Sequence, residues 1–156
     1  KIPFSILRIA EVYGKDMKGL SILKSVIKFP FFTFYPYPNS IQLCPVHIND
    51  VSSIIKQVML SKAKNKTYLV AGPKEYSIRE LCEIISKNYY NTNNIFIPVP
   101  IFLIRIVAYL NLIFKKPFIY PDQIPRMISK KSHDIKLLKD DFNFNPKLVE
   151  DSLEEI

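Results

Sequence analysis

Glycine is nearly missing: Gly14, Gly19 and Gly72 are the whole complement of 156 residues. Neither a G-x-G-x-x-G turn nor a P-loop fits that set, because both need several glycines at short fixed spacings where backbone must approach phosphate. Cysteine is as scarce. Cys44 and Cys82 are too few for a disulfide scaffold, and no Cys/His cluster has the spacing of zinc ligands. None of the nine tyrosines is followed four positions later by lysine, so no local Tyr-x-x-x-Lys dyad exists. Ser/His/Asp catalysis would need His47 or His133 as base, and no strained nucleophile turn accompanies either. No catalytic residue and no metal ligand is therefore assigned.

Arginine is the scarce basic residue. Of 22 Lys+Arg, only Arg8, Arg79, Arg105 and Arg126 are arginine, against 14 Asp+Glu and a net charge of +8. Arginine makes most bidentate base contacts, and the lysines are spread along the chain, so a lysine-rich solvated surface is expected and no nucleic-acid partner. The last stretch is acidic: residues 130–156 carry 5 basic and 7 acidic side chains. No signal-peptide pattern opens the sequence, which begins at Lys1, and a cytoplasmic location is expected.

What is plentiful is apolar residues, 48% of the chain, enough to exclude disorder and to form a core. Pro3-Phe4-Ser5-Ile6-Leu7-Arg8-Ile9 suits a strand buried on both faces. Leu20, Leu23, Lys24, Val26 and Ile27 have helical spacing before Pro30. Residues 31–48 hold two extended pieces around Pro38-Asn39-Ser40, which predicts a loose edge hairpin. Asn49-Asp50 then caps a helix with Val51, Ile54, Ile55, Val58 and Met59 inward. Lys66–Ala71 is a strand ended by Gly72-Pro73. Ser77-x-x-Glu80 is a capping box opening a helix with Ile78, Leu81, Ile84 and Ile85 inward. Asn91–Asn94 form a loop and Ile95-Phe96-Ile97 a short strand. Alternation of this kind predicts an α/β fold with parallel strands.

Residues 95–114 are mostly apolar and invite a transmembrane test. Arg105 at the centre would cost roughly 2.5–3.5 kcal/mol, and Pro98 and Pro100 break the first third. A strand, a Pro-Val-Pro link and a buried or interfacial helix from Ile101 to Phe114 fit better. Because that helix is apolar nearly all round, a membrane-surface role is the alternative. Further helices are expected from Pro121-Asp122-Gln123, over Asp134–Phe142 with Asn143 as left-handed terminator, and from Leu148-Val149.

The order of these segments resembles the C-terminal half of the extended or atypical short-chain dehydrogenase/reductase family, the NAD(P)-dependent epimerase/dehydratase group. Phe4-Ser5-Ile6-Leu7-Arg8 with Val12-Tyr13-Gly14 resembles its late Rossmann strand and "V-Y-G" continuation. Pro45-Val46-His47-Ile48-Asn49-Asp50-Val51 resembles "P-V-H-V-D-D-V". Thr67–Gly72 with Ser77-x-Arg79-Glu80-Leu81 resembles "T-Y-x-L-x-G … T-x-R-E-L". Pro98-Val99-Pro100 and Phe142-Asn143-Phe144-Asn145-Pro146 complete the series. Five landmarks in order cover essentially the whole chain.

The resemblance implies a Rossmann-like fold whose late parallel strands and small mixed substrate-binding lobe make up residues 1–156. The glycine-rich dinucleotide turn and the Tyr/Lys pair would lie upstream. NAD or NADP is the implied cofactor, with Ile9, Ala10 and Glu11 along it, and a small molecule is the implied substrate, with Val12, Tyr13, Gln42 and His47 toward it. Ile9 replaces the family's Pro, and Asn49 its first Asp. Gln42 stands where sugar-nucleotide enzymes often place a phosphate-binding Arg, offering neutral instead of charged hydrogen bonds. The implied activity is that of an epimerase, dehydratase or reductase; the alternative is a non-catalytic accessory or assembly subunit, like that of respiratory complex I. Without the upstream half, the first strand is expected to lack sheet neighbours and the chain to bind NAD(P)H poorly.

Overall fold

The computed structural model describes residues 2–15, 23, 24, 27, 31–38, 41–62, 65–113, 120–122, 124, 125 and 133–155. In chain order they form β1 (Ser5–Ile9), β2 (Val12–Tyr13), β3 (Phe32–Tyr37), β4 (Gln42–Leu43), β5 (Val46–His47), α1 (Ile48–Leu60), β6 (Lys66–Val70), β7 (Tyr76–Ser77), α2 (Ile78–Asn88), β8 (Ile95–Pro100), α3 (Ile101–Asn111), α4 (Lys136–Phe142) and a 3-10 segment, Glu150–Glu155. Leu23, Lys24 and Ile27 are helical; the rest of the helix expected around them lies outside the described residues, as does most of the one after Pro121. Two compact units divide the chain.

The first unit comprises Lys1–Lys24, Leu43–Glu75 and Ser132–Ile156. Its β1 pairs in parallel with β6, from Ser5 opposite Lys66 to Ile9 opposite Val70, so the expectation that this strand lacks a neighbour is corrected. The expectation of burial on both faces also fails: Leu7 packs on the core, whereas Ile6 is 49% exposed. Among the described residues only one face of the strand is covered. Cys44, Val46, Val51, Ile54, Tyr68, Val70, Leu138 and Phe144 form the core.

Helix α1 lays Val51 and Ile54 into that core with Val58 against its edge. Ile55 and Met59, expected inward, stay 36% and 79% exposed, because a narrow i, i+3, i+7 stripe suffices to reach it. Its cap is His47, not Asn49 or Asp50: the His47 Nδ1 accepts the Asn49 N–H at 3.3 Å. Asp50 instead accepts the Lys147 backbone N–H at 2.9 Å. At the other end of the unit, Asn143 terminates α4 at φ 51°, as its sequence position predicts. The helix expected from Leu148 is a 3-10 segment broken at Ser152, whose φ is −134°.

The second unit comprises Ser25–Gln42 and Tyr76–Lys131. The expected hairpin over 31–48 does not form: β3 pairs in parallel with β8, from Phe32 opposite Ile95 to Tyr37 opposite Pro100. Prolines explain how. The Ile95 N–H donates to the Phe31 carbonyl at 2.8 Å, so alternation turns residues 95, 97 and 99 toward β3 and residues 98 and 100 away. Pro36 falls likewise on the non-bonding alternation of β3, so no proline removes a donor that the ladder needs. Strand β8 therefore continues through the Pro-Val-Pro segment expected to be a link. In α2 the capping box is present in both directions, Ser77 Oγ accepting the Glu80 N–H at 3.2 Å and Glu80 Oε2 the Ser77 N–H at 2.7 Å. Ile78, Leu81, Cys82 and Ile85 are buried beneath it.

Candidate functional site

In parallel α/β sheets, ligands bind beyond the carboxyl ends of the strands. In the first unit those ends are Ile9 and Val70, brought side by side by the register of β1 and β6. The Ala10 N–H continues the ladder to the Val70 carbonyl at 2.9 Å, and the Glu11 carbonyl then accepts the Val46 N–H at 2.9 Å. These bonds pass the chain from one pair of strands to the next, β2 beside β5 with Tyr13 opposite His47.

Each residue expected in the site takes a definite place. Ile9 is 43% exposed at the mouth of the strand pair, and Ala10, Glu11 and Val12 are half-buried. Tyr13 and His47 meet edge to face, ring centroids 5.2 Å apart at 67°, both buried. The Tyr13 hydroxyl shares a hydrogen bond with Ser152 Oγ at 2.5 Å and donates to the Leu148 carbonyl at 3.4 Å. Gln42 is exposed on β4 in the second unit. Thus the structure brings Ile9–Tyr13 and His47 together within one unit.

Residues that the sequence reading did not assign to the site complete these surroundings. Cys44 Sγ donates to the Gly72 and Lys74 carbonyls, both at 3.2 Å. Burial first, then the charges of Glu75 and Glu11, push its thiol up to about 11, so it is a neutral donor and not a nucleophile near pH 7. The Gly72 N–H donates to the Cys44 carbonyl at 3.1 Å. A Cβ at Gly72 would overlap the Pro45 carbonyl oxygen, which makes glycine obligatory there. At Gly14, φ is 143° and a Cβ would come within 2.5 Å of Ile48 Cγ2, so the turn after Tyr13 also needs glycine. His133 Nδ1 lies 3.0 Å from Glu75 Oε1. Among the described residues no group of three or more His, Cys, Asp or Glu is placed to hold a metal ion, and no helix is long and apolar enough to cross a membrane.

Parallel strand pairs and intervening helices make a mixed α/β, Rossmann-like fold. No family model and no curated protein sequence matches the chain; solved structures do. A dTDP-glucose 4,6-dehydratase of Bacillus anthracis in complex with NAD is 15% identical, with a TM-score of 0.64 over 97% of this chain and 42% of its own. A UDP-glucose 4-epimerase of Thermotoga maritima with UDP-glucose is 14% identical, with a TM-score of 0.63 over 98% of this chain and 44% of its own. RMD of Pseudomonas aeruginosa complexed with NADPH is 13% identical, with a TM-score of 0.65 over 97% of this chain and 46% of its own. The chain thus spans under half the length of each, and the likeness establishes the shared fold.

Proposed function

We propose that residues 1–156 are the C-terminal half of an NAD(P)-dependent epimerase, dehydratase or reductase that acts on a sugar nucleotide or a related small hydroxy or carbonyl compound. The observation that carries this is the run Ile9–Tyr13, which leaves the carboxyl end of β1 beside the end of β6. Solved neighbours with NAD, NADPH and UDP-glucose support the ligand classes.

The residues present fit one end of the cofactor. Ile9 leaves an exposed apolar side chain where a flat ring would lie, and three glycines in the chain leave the pyrophosphate to residues upstream. When bound, the nicotinamide supplies hydride transfer. This chain's part is to wall that ring with Ile9, Ala10 and Glu11 and to shape the substrate side with Val12, Tyr13 and His47. The Ser152 bond and the His47 ring fix Tyr13 in one orientation, and His47 Nδ1 is engaged as the cap of α1.

The upstream sequence and an assay test the proposal together. A glycine-rich turn and a Tyr-x-x-x-Lys pair are expected there, with turnover of a UDP- or dTDP-sugar by the full-length protein. Glycines without the Tyr/Lys pair, and no turnover, would replace the enzyme with a nucleotide-holding accessory subunit.

A further inference from the structure

The loop after β6 carries an acid held from behind by a buried imidazole. His133, whose side chain is 4% exposed, sets Nδ1 3.0 Å from Oε1 of Glu75, whose side chain is 54% exposed. A carboxylate only accepts hydrogen bonds, so Nδ1 carries the proton and donates it to Glu75. The other ring nitrogen, Nε2, is buried with no hydrogen-bond partner. The ring thus has one polar task, to hold Glu75. Stability does not explain the arrangement. An ion pair to so exposed an acid contributes little, and burying Nε2 without a partner costs.

Place and charge say what the acid can take. Glu75 lies past Val70, beyond the carboxyl end of β6, the same end at which Ile9 leaves β1. Its charge and that of Glu11 both push up the Cys44 thiol, so both carboxylates stand near that one group. Lys74, adjacent in sequence, lies 3.8 Å from Glu150. Two carboxylates repel phosphate and favour neutral donors. Sugar hydroxyls are such donors, and a carboxylate is the group that holds ribose hydroxyls in dinucleotide folds. The bond to His133 leaves acceptor sites on both oxygens of Glu75, enough for two neighbouring hydroxyls. Ile9–Glu11 take the cofactor in the proposed function, and the chain enters the second unit at Tyr76, directly after Glu75.

We propose that Glu75 is a specificity-determining residue that accepts hydrogen bonds from adjacent hydroxyls on a sugar ring of the substrate, and that His133 is its positioning residue. The proposal rests on the reading of the chain as half of a sugar-nucleotide enzyme. Its chemistry is shared by the hexose and the ribose of such a substrate.

Titration of the full-length, NAD-loaded protein with UDP-glucose, dTDP-glucose and UDP tests this, alongside titration of the unloaded protein with NADH. E75A is expected to weaken UDP-glucose binding by roughly tenfold or more, the effect of losing a charged hydrogen bond, and to leave NADH binding unchanged. A parallel loss for dTDP-glucose, with UDP spared, places the contact on the hexose. A parallel loss for UDP, with dTDP-glucose spared, places it on the ribose, because deoxyribose lacks the hydroxyl pair. H133A is expected to weaken the same ligands, and H133N, whose amide N–H can replace Nδ1–H, to restore most of the affinity. A dyad that served only stability would move NADH binding and the unfolding midpoint as well. Should E75A unfold early, E75Q carries the comparison, keeping the shape and losing the charge. Sugar-nucleotide binding unaffected by E75A and E75Q, or a loss confined to NADH, would overturn the proposal and leave the proposed function standing. Wild-type protein that binds none of the three nucleotides would overturn both.

Discussion

Gly72 is held by its neighbours more than by its own conformation. Pro45 stacks its carbonyl where a side chain would begin, so G72A is expected to cost about 1–3 kcal/mol through overpacking, read as a lower urea midpoint at unchanged m. Ser77 is the opposite case, fully legible from the spacing Ser77-x-x-Glu80. Removing its hydroxyl in S77A leaves the Glu80 N–H without its cap and is expected to cost about 1 kcal/mol in the same measurement. The buried thiols set a pH dependence. Burial raises Cys44 from 9.0 to about 11 and Cys82 from 9.0 to about 12. Tyr68 goes from 10.0 to about 12, by burial and by donating its proton to Asp141 at 2.7 Å. Below about pH 8 both states hold these protons and these three groups leave stability unchanged. Above it the unfolded chain releases them first, so stability falls as pH climbs toward 12. A denaturation midpoint that stayed level from pH 8 to pH 11 would contradict this assignment of burial.

At the scale of elements, helices with a cap and a periodic face were legible and strand partners were not. The i, i+3, i+4 pattern located α1 and α2, and Asn143 marked the end of α4. The pairing of β3 with β8 was hidden because its two strands stand far apart in sequence and are full of prolines, which read locally as turns. What admits them is parity: the prolines share one alternation, and the donors the ladder needs sit on the other. Hence P98A is expected to be neutral within about 0.5 kcal/mol, whereas I97P removes a ladder donor and strands a carbonyl, costing roughly 1–3 kcal/mol. Equal effects of the two substitutions, measured by thermal unfolding, would show the register to be wrong. His47 as the cap of α1 was missed for a related reason. Asn and Asp are the usual caps, and nothing in the sequence alone tells that an imidazole has turned back onto its own helix.

At the scale of the whole molecule, the order of five weak motifs foretold a fold that no family model or curated sequence matches, yet solved structures share at 13–15% identity. The end of β1, where the candidate site is proposed, was legible as a position because strand-to-loop transitions leave a mark in sequence. Its inner supports, the Ser152–Tyr13 bond and the Cys44–Gly72 contacts, join residues far apart in sequence and left none. The account turns on the claim that Ile9–Glu11 wall a nicotinamide pocket completed by residues outside this chain. Fluorescence titration of NADH and NADPH against the full-length protein, its I9D variant and the isolated 156 residues tests it most directly. Micromolar binding by the full-length protein, weakened roughly tenfold or more by placing a carboxylate against the ring, and little binding by the isolated chain are the expected results. Tight binding by the isolated chain, or full-length binding that I9D leaves untouched, would contradict it.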